Sequence, residues 1–179
     1  MSEPDIELCI IETREWIKKM VLGLNLCPFA HQPYASDLIR YSVLDPDRAV
    51  IEQIVEEIKL LIRADADEIE TSLILLEEAI GFTPYLNLID QIERYIADEN
   101  LEGVVQVASF HPEYQFSDLS SDDVRNHTNR SPYAMIHLLR EQSVSLAVQQ
   151  HGKTDQIPVD NQARLLDLGI DGVEELLKK

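Results

Sequence analysis

The chain is short of cysteine, glycine and basic residues, and each shortage closes off a class of function. Its two cysteines, Cys9 and Cys27, form neither a CxxC pair nor a zinc-knuckle spacing, so no disulfide framework is indicated and a reducing cytoplasm is the expected compartment. Glycine is down to 6 residues, with no Gly-rich phosphate loop, no GxSxG elbow and no dinucleotide fingerprint, so no cofactor is expected. Fifteen Lys and Arg stand against 33 Asp and Glu, a net charge of -18 that repels phosphate backbones and argues against nucleic acid as a partner. No apolar run approaches the ~20 residues of a membrane span, so no membrane partner is expected. The acidic Met1–Glu7 is neither a secretory signal nor an Arg-rich transit peptide. The five histidines show no HxH, HxxxH or HExxH spacing, and no metal is expected.

What is present reads as one globular domain over residues 1–179, 45% hydrophobic and 27% charged. Ile6, Cys9, Ile10, Thr13, Ile17, Met20 and Val21 recur at three and four and predict a first helix over Asp5 to Leu22, ended by Gly23, with Cys9 inside the buried stripe. Leu38 to Leu44 alternates as a strand. Asp45-Pro46 reads as the start of a second, strongly amphipathic helix carried by Val50, Ile51, Ile54, Val55, Ile58, Leu61 and Ile62. Thr71 to Leu76 is a short buried strand. Thr83-Pro84 then caps a helix carried by Leu86, Ile89, Ile92 and Ile96, and Val104 to Phe110 is a third strand. Strand and helix alternate, which predicts an α/β fold: a small, mainly parallel sheet of three to four strands packed with helices. A further edge strand can hide in Ala30 to Ser36. Ser131-Pro132 opens a predicted helix to about Gln150, and two helices split at Gly169 make the C-terminal region helical.

Three places carry chemistry. The third predicted strand runs into Ser109-Phe110-His111-Pro112, which sets an imidazole at the carboxyl end of a parallel sheet, where ligands tend to bind. With an unperturbed pKa near ~6.5, His111 suits proton transfer, or else it ties the strand end to the following loop. Asn129-Arg130-Ser131-Pro132 combines a cap, free amides and a guanidinium, an anion site if Arg130 is free and a plain capped helix if it pairs with Asp118, Asp122 or Asp123. Cys27, in Asn25-Leu26-Cys27-Pro28-Phe29, is either a nucleophile with a lowered pKa or a small buried residue of a turn, and Asn25 is equally a turn residue. His137 shares a predicted helix face with Arg140 and Glu141, an arrangement for ion pairing or packing; His31, His127 and His151 are expected at the surface. The non-periodic stretch Glu113 to Asn129 reads as a long loop with one helical turn after Ser121.

The segments Asn25-Leu26-Cys27-Pro28-Phe29-Ala30, Gln106 to Phe116 with its Ser-Phe-His-Pro core, Thr128-Asn129-Arg130-Ser131-Pro132-Tyr133 and His137-Leu138-Leu139-Arg140-Glu141 resemble the bacterial family known as domain of unknown function 1415. The likeness runs from Trp16 to the last helices and implies a single-domain protein of this size; it brings no activity with it. By resemblance, the motif positions are Asn25, Cys27, His111, Asn129, Arg130 and His137. The family pattern tolerates a non-hydroxyl residue in place of Ser131, which leaves Ser131 a cap rather than a nucleophile. It usually has another residue at His127, and a proline where this chain has Ala134.

An imidazole, a guanidinium and a thiol converging in non-periodic segments lead to an enzyme acting on a small anionic molecule by hydrolysis or group transfer. His111 and Cys27 would be catalytic, and Asn25, Asn129, Arg130, Ser131 and His137 would bind substrate. The alternatives are a non-catalytic protein that binds or senses a small anion, and motifs that only hold a difficult core together.

Overall fold

The computed structural model describes residues 3–76, 80–152 and 154–178. Six α-helices and four strands follow one another as α1 (Glu3–Trp16), α2 (His31–Ala35), β1 (Ile39–Val43), α3 (Val50–Arg63), β2 (Thr71–Leu76), α4 (Phe82–Asp98), β3 (Val105–Phe110), β4 (Ala134–Arg140), α5 (Glu141–His151) and α6 (Gln156–Leu177). The α/β class, the count of strands and the helical C-terminal region are those read from the sequence.

The sheet order is β1-β2-β4-β3. β1 pairs with β2 in parallel, and β4 pairs antiparallel with both β2 and β3. β1, β2 and β3 therefore run one way, as the alternation of strand and helix predicts, but the sheet is mixed because β4 is inserted between β2 and β3 against them. The expected helix from Ser131 is corrected here: Ala134 to Arg140 is the inner strand β4, and a helix begins only at Glu141. Its Ala, Met and Leu residues favour helix in isolation. The run is buried on both faces between two strands, and tertiary pairing overrides propensity. The expected edge strand in Ala30 to Ser36 is likewise a short helical segment, a 3-10 turn (Pro28–Ala30) leading into α2. Asp45-Pro46 forms a turn whose Asp45 Oδ1 accepts the Asp47 amide at 3.0 Å, and α3 starts at Val50.

Period-two alternation divides the core into two layers. Ile74, Leu76, Ala134, Ile136 and Leu138 face α3 and α4, whose buried residues include Ile54, Ile58, Leu61, Ile89 and Ile92. Leu73, Leu75 and Met135 face the other way, against Cys9, Trp16, Ile17 and Met20 of the first helical stretch and Leu165 and Val173 of α6. Within α4 the buried stripe uses Tyr85 and Leu88, while Leu86 is exposed. The fully buried Tyr85 hydroxyl donates to Met135 O at 2.7 Å and accepts the Phe110 amide at 3.0 Å. Phe110 and Met135 are register partners, so a side-chain hydroxyl bridges the last step of the β3–β4 ladder.

α1 continues into a π-helical turn, Ile17–Leu22, stopped at Gly23 as expected. A Cβ at position 23 would lie 2.2 Å from Lys19 O, which only glycine avoids. In α6, Gly169 adopts φ 68 and ψ 171, a conformation nearly confined to glycine, and it kinks the helix where the sequence predicts a break.

Candidate functional site

A cavity of about 730 Å3 opens between α1, the segment 112–132 and the end of α6. Its apolar lining comes from Leu8, Ile11 and Trp16 of α1, Pro112, Pro132 and Leu177. Trp16 is held edge-to-face on Phe110, ring centroids 5.6 Å apart. Polar groups enter the same space from Glu12, Glu15, Lys19, His127, Arg130 and Ser131. Most of these are already engaged. Tyr133 Oη donates to Glu12 Oε2 at 2.6 Å, Glu15 faces Lys18 at 3.8 Å, and Lys19 Nζ donates to Lys178 O at 2.8 Å. Burial and the bond to Glu12 push the Tyr133 hydroxyl upward in pKa, so it remains a donor.

Arg130 differs from these. Its Nε donates to Tyr114 O at 3.0 Å and its Nη2 to Ser121 O at 2.6 Å. Both acceptors are carbonyls of the long 113–129 loop. Among the described residues the guanidinium makes no ion pair, and Asp123 is taken by Arg125 at 2.6 Å. Two neutral carbonyls fix the group's direction and leave its charge uncompensated, in a chain of net charge -18. The neighbouring His127 is half-buried rather than exposed; burial, with Arg130 beside it, lowers its pKa and favours the neutral ring. Because β4 replaces the expected helix, no helix N-terminus stands behind Arg130. Ser131 is buried, and its Oγ closes a turn by donating to Tyr133 O at 2.6 Å instead of capping a helix.

The loop that carries Arg130 is organised by a residue with no obvious signal in sequence. Asn126, fully buried, accepts the Phe116 amide on Oδ1 at 3.1 Å and donates from Nδ2 to Ser120 O at 2.8 Å. The expected helical turn is a 3-10 segment, Val124–Thr128, capped by Asp123. Asn129 then staples the loop to β3: its Nδ2 donates to Ser109 O at 3.0 Å, and its own carbonyl accepts the His111 amide at 3.1 Å.

His111 stands apart from the cavity. Its ring is 2% exposed and packs on Phe82 and Tyr85 of α4, with centroids 5.2 and 5.0 Å away. Nε2 lies 2.8 Å from Ile80 O, and Nδ1 accepts the Glu113 amide at 3.0 Å. These partners assign the Nε2–H tautomer and use both ring nitrogens. Cys27 belongs to the other layer: the flanking Leu26 and Asn25 carbonyls accept from Asn161 at 2.7 Å and Arg164 at 3.0 Å of α6. Burial pushes its thiol upward in pKa despite backbone hydrogen bonds from Phe29 and Ala30. Asn25 is a left-handed turn residue, φ 49, its Oδ1 3.4 Å from Nε2 of the exposed His31.

His137 lies in β4, not on a helix face with Arg140 and Glu141. Its Nε2 is 2.7 Å from Thr71 Oγ1, which donates to Leu138 O at 2.6 Å. Burial lowers its pKa to about 4. Arg140 instead ties β4 to the chain before β2, donating to Ala64 O and Ile69 O. The side chain of His151 is outside the described residues. Of the seven residues singled out in the sequence, Arg130 and Ser131 line the cavity. Asn129 anchors the strand that precedes it, and His111, Cys27, Asn25 and His137 lie elsewhere. Trp16, Glu12 and Lys19 complete the cavity without a local signature.

Fold and cavity define an α/β protein with a ligand-sized opening between a helix and a long loop. A family model described as a protein of unknown function, DUF1415, matches residues 9–175, and the chain belongs to that family. No curated protein and no solved structure matches the chain significantly. Among the described residues no group of His, Cys, Asp and Glu is placed to hold a metal ion, and no helix is long and apolar enough to cross a membrane.

Proposed function

We propose that this protein binds a small molecule with an apolar body and an anionic end, and does so without turning it over. The observation that carries the reading is Arg130, a guanidinium at the cavity wall, oriented by two carbonyls and lacking a counter-ion among the described residues. A carboxylate or phosphate supplied by a ligand would complete it with a charge-assisted bond. Leu8, Ile11, Trp16 and Leu177 would take the apolar part. Of the two acids of the lining, Glu15 faces Lys18 and Glu12 is held by the Tyr133 hydroxyl, which fixes its direction while leaving its charge.

Hydrolysis or group transfer by His111 and Cys27 has less support. Both ring nitrogens of His111 are bonded to backbone, the Cys27 thiol is pushed away from ionisation, and neither residue lines the cavity.

Trp16 is the only tryptophan and lines the cavity, so its fluorescence reports occupancy directly. Decanoate should quench or shift that emission, with decanol, its uncharged counterpart, binding about tenfold more weakly. Arg130→Gln should erase the preference for the acid, a loss of about 1.4 kcal/mol. The ligand should be recovered chemically unchanged. Equal binding of acid and alcohol by the natural chain, or an unaltered preference in Arg130→Gln, refutes the reading.

A further inference from the structure

A second surface, separate from the cavity, lies along the outward side of α6. Val159, Leu166 and Ile170 are 57%, 57% and 43% exposed, and the small Ala163 between them is exposed as well. Positions 159, 163 and 166 follow the four-three spacing of one helix face, and Ile170 lies just beyond the kink. The kink at Gly169 does not separate it from the row, because Leu166 and Ile170 together line a groove of about 380 Å3. The facing wall of that groove is the turn Ser120, Asp122, Asp123 and Val124.

The rim is predominantly acidic. Asp122 stands in the groove wall, and the exposed Asp167, Asp171 and Glu174 flank the apolar row on α6 itself. Of the nearby cations, Arg125 is paired with Asp123, while Arg164 donates to the neutral Asn25 O and Asn161 Oδ1 and keeps its charge on the acid-lined side of α6. An apolar row of this length, bordered by acids, is complementary to a helix with an apolar stripe between lysines or arginines. A second copy of this chain is a poor occupant, since each would bring a net charge of -18 to the contact.

We infer that the groove formed by Leu166, Ile170 and the 120–124 turn is a docking site for a basic amphipathic helix of a partner protein. The inference does not rest on the cavity or on Arg130.

The test uses the full chain, isotope-labelled for NMR, and a helical peptide of about 18 residues with leucines on one face and lysines on the other. Chemical-shift changes should cluster at 120–124 and 159–171. Leu166→Gln with Ile170→Gln, both at exposed positions, should weaken binding about tenfold or more. Asp167→Asn with Asp171→Asn should weaken it severalfold and flatten its salt dependence. Three results would overturn the inference: shifts spread over the whole acidic surface, equal affinity for a peptide with serines in place of its leucines, or unchanged affinity in the Leu166/Ile170 variant. Sedimentation showing a dimer that the same double substitution dissolves would assign the face to a second copy and overturn it too.

Discussion

His111→Ala separates a structural imidazole from a catalytic one. The ring gives up two hydrogen bonds, to Ile80 O and from the Glu113 amide, and its contacts with Phe82 and Tyr85. Each bond contributes about 1 kcal/mol net, and contact with two aromatic rings adds roughly 1–2 kcal/mol, a total of about 3–4 kcal/mol. For a chain of this length that lowers Tm by roughly 10 °C. Urea unfolding followed by circular dichroism measures the free energy, and a thermal scan measures Tm. The Trp16 titration with decanoate, run well below the lowered Tm, should give an unchanged affinity, because the removed ring does not line the cavity. A Tm within about 2 °C of the natural protein, or a folded variant that no longer binds decanoate, would refute the reasoning.

Two further outcomes follow from the geometry. His137 is depressed to about 4 from the ordinary 6.5. Between those values the unfolded chain binds a proton that the folded chain refuses, so stability rises with pH across the window. As pH falls from 6.5 to 4 this residue alone removes on the order of 3 kcal/mol, and His137→Gln should flatten that part of the urea-stability profile relative to the natural chain. Gly169→Ala places a Cβ on a backbone at φ 68 and ψ 171 and should cost about 1–3 kcal/mol in urea unfolding, even though nothing crowds the site.

The parts of the fold that were legible are those whose signal is local. Amphipathic stripes located α1, α3 and α4, Gly169 marked the break in the C-terminal helical region, and the alternation of helices with three apolar runs gave the common direction of β1, β2 and β3. β4 was hidden because Ala134 to Arg140 is apolar at nearly every position. A strand buried on both faces loses the period of two, and the preceding Ser-Pro resembles a helix start. The site divides in the same way. Arg130 was recognisable as an anion-binding group, yet what aims it is a pair of loop carbonyls, Tyr114 and Ser121, rather than a helix end. The opposite wall could not be read at all, because it is made by packing α1 against residues more than a hundred positions away, as in the bond from Tyr133 to Glu12. A helical stripe tells which side of α1 is buried and says nothing of what borders the other side.

The placing of β4 also sets the order in which the molecule can be assembled during synthesis. β1, α3 and β2 are contiguous in the chain and can associate as they leave the ribosome. Among the described residues β3 touches the sheet only through β4, which ends at Arg140. At roughly 5–20 residues per second, the thirty positions between Phe110 and Arg140 keep β3 without a strand neighbour for seconds. Through that interval the nascent chain carries two open apolar edges, the inner side of β2 and the whole of β3, and a ribosome stalled before Ala134 would hold a chain primed for mispairing with its neighbours.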